Sequence, residues 1–183
     1  MATLYILAAI PAAGKTTWAH EHHSELDAKI ISRDNIRFNY MANDPDFLPS
    51  MDYFKYEKDV ERCFYDQINW DLCVNDMNVI ADATHISWKS LKKTVEHCGK
   101  NADKVILVYF NRGLDIALPQ NAKRDGVEHV PEAGALYRDH RPPPHERRSG
   151  AKADRILLAG DVDGPELLVE HVSETFVLVA RKA

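Results

Sequence analysis

The sequence has few cysteines and no long apolar run. Its 183 residues include only three cysteines, at positions 63, 73 and 98, and none of them forms a C-x-x-C pair. Such an odd, scattered set predicts neither a disulfide framework nor a zinc site, and it favours a reducing, cytoplasmic location. No segment approaches the roughly 20 apolar residues of a membrane helix. The short apolar start lacks a basic flank, so we expect no signal peptide and no membrane partner.

An excess of positive charge is also missing. The chain carries 23 Lys and Arg against 28 Asp and Glu, a formal net charge of −5. This balance disfavours a protein that coats nucleic acid electrostatically, although a local basic patch is compatible with it. With 45% hydrophobic residues, a chain of this length predicts one globular domain over residues 1–183. Nothing in the composition indicates an oligomeric state.

Short apolar runs alternate with amphipathic segments. Buried strands are expected at 4–9, 29–34, 77–82 and 104–110, with a helix after the first strand, a long one at 51–75, and another from Ser87 to Gly99. This alternation predicts an α/β fold with a doubly wound parallel sheet. A helical lid is expected at about 112–144. Two strands, "RILLAGD" and "TFVLVA", should lie in an extension at about 150–183.

The stretch "AAIPAAGKTTWA", residues 8–19, follows the first strand and ends in a Gly-Lys-Thr sequence. It matches the phosphate-loop pattern G-x-x-x-x-G-K-[ST] except that Ala9 replaces the first glycine, which matters only if that position needs a positive φ. A strand, this loop and a helix would surround an anion with backbone N–H groups, which predicts the P-loop NTPase and kinase fold. We therefore expect ATP to bind at Ala12, Ala13, Gly14, Lys15, Thr16 and Thr17.

Two carboxylates follow predicted strands. Asp82 ends the strand at 77–82 and, together with the Thr16 hydroxyl, would hold Mg²⁺, which needs few protein ligands. Asp34 ends the strand at 29–34 and should face the same crevice as Lys15, where it could accept a proton from an alcohol. Arg37 could hold a phosphate of that acceptor. The alternative for this pair is a helix cap and a surface charge.

Four segments together resemble the kinase domain of phage-type 5′-hydroxyl polynucleotide kinases. They are "IPAAGKTTWA", "ISRDNIRFNYM", "VIADATHIS" and "NAKRDGVEHVPEAGALYRDHRPP", in the same order and at similar spacing over about residues 3–144. The phosphate loop is shared by many nucleotide-binding proteins, whereas "RDNIR" and the last segment are far more specific. The resemblance implies ATP and Mg²⁺ as cofactors and 5′-hydroxyl ends of RNA or DNA as acceptor.

Residue by residue, the resemblance implies a role for each matching position. Lys15 and Thr16 match the phosphate-loop pair, Asp34 the general base, and Arg37 an arginine that contacts the acceptor's 3′-phosphate. Asp82 matches the acidic residue of the third strand, and Arg124 matches the lid arginine that stabilises the transferring phosphate. Thr84 and His85 stand where Thr-Asn is common. Thr84 is a lesser acceptor-site candidate, and His85 is expected to be an orienting or structural group.

The chain departs from the family pattern at several places. Ala9 and Ala12 replace usual glycines, and Gln120 stands where the lid often has an arginine. "RILLAGDVDGPE" is similar to the opening of an accompanying phosphatase domain, but only 22 residues follow Asp161. We therefore expect no phosphatase and interpret Asp161 and Asp163 as turn residues.

Three functions stay open at this point. The leading hypothesis is an ATP-dependent polynucleotide 5′-hydroxyl kinase, a phosphotransferase of nucleic-acid repair. A P-loop kinase of a small molecule, such as a nucleoside, sugar or antibiotic, would use the same core. A non-catalytic nucleotide-binding module is suggested by the two alanines of the loop, but it would have no use for a base at Asp34.

Overall fold

A computed structural model describes residues 1–47, 54–110, 114–124, 166–172 and 175–181, and in the last two ranges only the backbone is described. Strands and helices alternate from the N terminus, as the apolar runs predict. The strands are β1 (Thr3–Ala8), β2 (Ala28–Ser32), β3 (Asn78–Asp82), β4 (Lys104–Phe110), β5 (Glu166–Val172) and β6 (Thr175–Arg181). The helices are α1 (Lys15–His22), α2 (Arg33–Ala42), α3 (Glu57–Cys73), α4 (Trp88–Cys98) and α5 (Leu114–Asn121).

The six described strands form one sheet in the order β2-β3-β1-β4-β6-β5. The first four are parallel, whereas β6 runs antiparallel to β4 and β5 antiparallel to β6. Parallel strands need crossover connections, and helices α1 to α4 supply them. The register pairs Ser32 with Asp82, so the chain leaves β2 and β3 side by side at one edge of the sheet.

Helices cover both faces of this sheet, which makes it doubly wound. On one face, alternate β1 residues such as Leu4 and Ile6 pack with Phe64 and Ile68 of α3. On the other, Leu7 packs with Ala19 of α1 and with Ala117 of α5. Complete burial of a side chain such as Phe64 stabilises the fold by about 1.5–3 kcal/mol. The predicted α/β fold class is therefore confirmed.

Several predicted boundaries are wrong. The strand predicted at 29–34 ends at Ser32, because the Ser32 hydroxyl accepts a hydrogen bond from the backbone N–H of Asn35 and caps α2. The long helix predicted at 51–75 begins only at Glu57. At Gly99 the backbone keeps right-handed helical angles, so α4 tightens into a 3-10 turn over Gly99–Asn101.

The C-terminal predictions have mixed outcomes. "TFVLVA" forms β6 as predicted, and the apolar stretch at 114–121 is helical despite Pro119. Strand β5 was not predicted, because Glu166, Glu170 and His171 interrupt its apolar pattern. The strand predicted at "RILLAGD", most of the predicted lid beyond Arg124, and both Asp161 and Asp163 lie outside the described residues. Within the ranges described, each helix is too short or too polar to span a bilayer.

Candidate nucleotide and acceptor site

The loop between β1 and α1 has two residues in the left-handed region. Gly14, the N-cap of α1, has φ 91°, and Ala12 has φ 60°. Ala9, which replaces the first glycine of the pattern, is not among the described residues with positive φ. The departure that strains the backbone is therefore Ala12 and not Ala9. No described side chain caps α1 at Gly14, so its first N–H groups suit an anion.

Lys15 begins α1 and is deeply buried, since only 8% of its surface is exposed. Its ammonium group donates to the carbonyl of Ile10 in the same loop at 3.3 Å. Burial lowers the pKa of Lys15 to about 8, while the charges of Asp82 and Asp34 raise that pKa and the charge of Arg124 lowers it. Four predicted site residues are thus within electrostatic reach of one another.

Thr16 and Asp82 lie side by side at the crevice. The Thr16 hydroxyl donates to a carboxylate oxygen of Asp82 at 2.9 Å. Burial raises the pKa of Asp82, which the charge of Lys15 and the hydrogen bond from Thr16 oppose. A hydroxyl and a carboxylate are the hard oxygen ligands that Mg²⁺ takes in phosphate sites, so this pair fits the metal. In the described part of the chain, no group of three His, Cys, Asp or Glu could hold a metal by itself.

Asp34 and Arg37 lie one turn apart on α2. The side chain of Asp34 is 64% exposed, whereas that of Arg37 is 5% exposed. A guanidinium nitrogen of Arg37 donates to the carboxylate of Asp34. Asp34 therefore stands at the start of α2, in its first turn, and its charge acts on the pKa values of both Lys15 and Asp82.

A cavity of about 130 Å³ opens beside Asp34, and we call it the acceptor pocket. The ring of Phe54 lies 5.4 Å from the guanidinium carbon of Arg37, a cation–π contact. Thr84, the lesser candidate of the sequence, lies in its wall. The pocket is lined by Arg33, Asp34, Arg37, Phe54, Glu57, Ala83, Thr84, His85 and Ser90.

Glu57 and Arg33 are pocket residues that sequence reasoning missed. One carboxylate oxygen of Glu57 accepts from Arg37 at 2.8 Å, and the other accepts from Arg33. Arg33 also lies 3.6 Å from Glu61 on the next turn of α3. Arg33 has a signal in its place beside Asp34 in "RDNIR". Glu57 has none, because a glutamate at a helix start is ordinary.

His85 lies behind the pocket and is buried, with 5% of its surface exposed. Its Nδ1 donates to the carbonyl of Leu7 at 2.8 Å, and its Nε2 accepts from the hydroxyl of Thr94 at 3.0 Å. Burial lowers its pKa to about 4, so the ring is neutral and fixed between β1 and α4. This placement agrees with the structural role expected for His85.

Several of the residues singled out in the sequence lie toward solvent, including Thr16, Asp34 and Thr84. Thr17 and Gln120 are both exposed, on α1 and α5. An open groove of about 420 Å³ lies between α2, α3 and the outer strand β2, and no predicted site residue lines it. The crevice at Lys15 and the acceptor pocket therefore hold the candidate chemistry of the described chain.

Two solved structures that are similar to this chain come from an RNA repair complex. A chain of the Pnkp1/Rnl/Hen1 RNA repair complex is 26% identical with a TM-score of 0.56, over 67% of this chain and 37% of that chain. A second structure of the Pnkp1/Rnl/Hen1 complex is 25% identical with a TM-score of 0.53, over 73% and 42%. The protein thus spans about two fifths of the length of these chains.

Comparison with curated proteins finds no match. A family match, to the AAA_33 family described as an AAA domain, covers residues 4–136. The match runs from the second residue of β1 through β4, and it includes the phosphate loop, the acceptor pocket and Arg124. This chain therefore belongs to the AAA_33 family of AAA domains, and its resemblance to a polynucleotide kinase-type P-loop domain is confirmed.

Proposed function

We propose that the chain is an ATP-dependent polynucleotide kinase that transfers the γ-phosphate of ATP to 5′-hydroxyl ends of RNA or DNA in nucleic-acid repair. One observation carries this proposal: a carboxylate, Asp34, pairs with a buried arginine, Arg37, beside the crevice that holds Lys15. A kinase of strand ends needs a base for the hydroxyl and a cation for the neighbouring phosphate. The likeness to chains of an RNA repair complex supports the same acceptor class.

Each residue then has a defined task in an in-line transfer. The loop from Ala12 to Thr17 and the ammonium of Lys15 hold the phosphates of ATP. Thr16 and Asp82 would hold Mg²⁺, which neutralises phosphate charge when bound. Asp34 accepts the proton of the attacking hydroxyl. Arg124 stabilises the charge that spreads over the equatorial oxygens.

The acceptor end is oriented by the pocket. Arg37 binds the phosphate that follows the reacting nucleotide, and Thr84 lies against that nucleotide. A small-molecule acceptor is the second candidate, favoured by the modest cavity of about 130 Å³. It would fill the same pocket without a phosphate on Arg37.

The test is labelled-phosphate transfer from ATP to a 5′-hydroxyl oligonucleotide, set against a panel of nucleosides, sugars and other small alcohols. We expect the oligonucleotide to be the better acceptor. Asp34→Asn keeps the size of the side chain but removes the base, so it should lower the rate by about 10²–10⁴-fold and leave ATP binding intact. Asp59→Asn, at an exposed carboxylate paired with Arg62 on α3, is the matched control. Full turnover in the Asp34→Asn variant would show that the assigned base is wrong.

A further inference from the structure

The two arginines of the acceptor pocket already share a carboxylate. Glu57, the first residue of α3, accepts from Arg33 with one oxygen and from Arg37 with the other. A guanidinium binds carboxylate and phosphate through the same forked donors. Glu57 therefore accepts hydrogen bonds from N–H donors that a phosphate of the acceptor would need.

Neither arginine depends on Glu57 alone for its position. Arg37 keeps its contact with Asp34 one turn away on α2. Arg33 keeps Glu61 at 3.6 Å, and Glu61 is itself held by Lys93 of α4 at 2.6 Å. Removal of the Glu57 charge would therefore leave both guanidinium groups in the pocket with a partner.

Glu57 is also more exposed than both arginines that it binds. Its side chain is 35% exposed, while that of Arg37 is 5% exposed. A carboxylate at the pocket wall can turn toward water when another anion approaches, whereas the buried guanidinium stays in place. The negative charge of Glu57 would still repel that anion.

We propose that Glu57 is a specificity-determining residue, which competes with the acceptor's phosphate for Arg33 and Arg37. This inference rests on the proposed transfer to 5′-hydroxyl ends. Glu57 weakens the binding of acceptors that carry a phosphate next to the reacting nucleoside. Acceptors with a neutral linkage at that point are unaffected. Glu57 therefore reduces the difference in kcat/KM between acceptors with a charged linkage and acceptors with a neutral one.

The experiment compares two dinucleotides that both end in a 5′-hydroxyl. One has an ordinary phosphodiester linkage, and the other has a neutral methylphosphonate. Their kcat/KM values are measured at saturating ATP and Mg²⁺ and at low salt. In Glu57→Gln, which keeps the shape but not the charge, the phosphodiester value should rise about tenfold through KM. The methylphosphonate value should change by less than about twofold, since no charge meets the arginines.

Glu61→Gln is the matched control, because Glu61 contacts Arg33 but does not line the pocket. In this variant the ratio of the two kcat/KM values, phosphodiester to methylphosphonate, should equal that of the wild type. Glu57→Ala, also uncharged, repeats the measurement if the Glu57→Gln variant does not fold, and thermal melting shows which variant is folded.

Three outcomes overturn the inference. An unchanged ratio in folded Glu57 variants means that the carboxylate does not compete. An equal decrease in kcat/KM for both dinucleotides means that Glu57 positions the arginines instead. If the wild type phosphorylates neither dinucleotide, the proposed function fails and the inference falls with it. The first two outcomes leave the proposed function standing, because they require an active wild type.

Discussion

At the scale of single residues, the main feature is a buried ammonium group in the phosphate loop. Lys15 donates a hydrogen bond to a carbonyl of its own loop, and its burial lowers its pKa to about 8. The charges of two carboxylates, on Asp82 and Asp34, oppose this shift. Burial therefore disfavours the protonated form of Lys15, and the phosphates of ATP would favour it.

This gives a pH dependence of nucleotide binding. Lys15 must be protonated to bind phosphate, and the free protein loses that proton as the pH rises through about 8. We expect ATP affinity to be level below about pH 7 and to fall by up to about tenfold per unit above about pH 8. Titration of a fluorescent ATP analogue between about pH 6.5 and about pH 9.5 measures it. The Lys15→Arg variant, whose side chain stays charged, should bind ATP more weakly than the wild type, but its affinity should not decrease with rising pH. A level affinity in the wild type would contradict the prediction.

At the scale of elements, the site depends on which chain segments meet at the sheet edge. Asp82 and the loop were predictable because parallel strands end at one edge and the Gly-Lys-Thr signature marks the loop. Asp34 was predictable in place, although it lies in the first turn of α2 and is not the last residue of the strand. Glu57 was not predictable, because the packing of α3 across α2 has no periodic or motif signature in sequence. The same holds for the contact between Arg33 and Glu61.

In the phosphate loop, two alanines replace glycines of the pattern, and only one of them, Ala12, has a positive φ. Ala12 has φ 60°, which disfavours any residue with a Cβ by roughly 1–2 kcal/mol. Ala12→Gly should therefore raise the free energy of unfolding by about 1 kcal/mol and strengthen ATP binding. Ala9→Gly restores the other glycine of the pattern where no positive φ is needed, so it should lower stability by up to about 1 kcal/mol. Urea unfolding and nucleotide titration of both variants decide it. Equal effects would mean that Ala12 is not strained.

At the scale of the whole molecule, a few buried polar groups join the layers of the fold. His85 bonds the carbonyl of Leu7, at the end of β1, and the hydroxyl of Thr94 on α4. The hydroxyl of Tyr65 on α3 lies 3.5 Å from the same Thr94 hydroxyl. The strand that leads into the phosphate loop is thereby fixed to two helices of one face. Because the ring is buried and neutral, protonation must disturb this connection.

Acid should therefore unfold the protein partly through His85. The pKa of His85 is lowered to about 4, first by burial and also by the charges of Arg33 and Lys15, while the hydrogen bonds to the carbonyls of Leu7 and Ala83 oppose the shift. The folded pKa lies below the unfolded value near 6.5. The stability is thus fully present above about pH 6.5 and lost toward about pH 4, on the order of 3 kcal/mol.

The measurement is urea unfolding of wild type and His85→Asn at several pH values from about 7.5 to about 4.5. Asn keeps a donor for the Leu7 carbonyl but has no ring to protonate, so the variant should be less stable at neutral pH and lose less stability in acid. Burial raises the pKa of Asp82, so protonation of Asp82 stabilises both proteins in acid. This contribution cancels when the two proteins are compared. His20→Asn, which removes an imidazole at an exposed position on α1, is the control for the substitution itself. Parallel curves for wild type and His85→Asn would show that the acid sensitivity arises elsewhere.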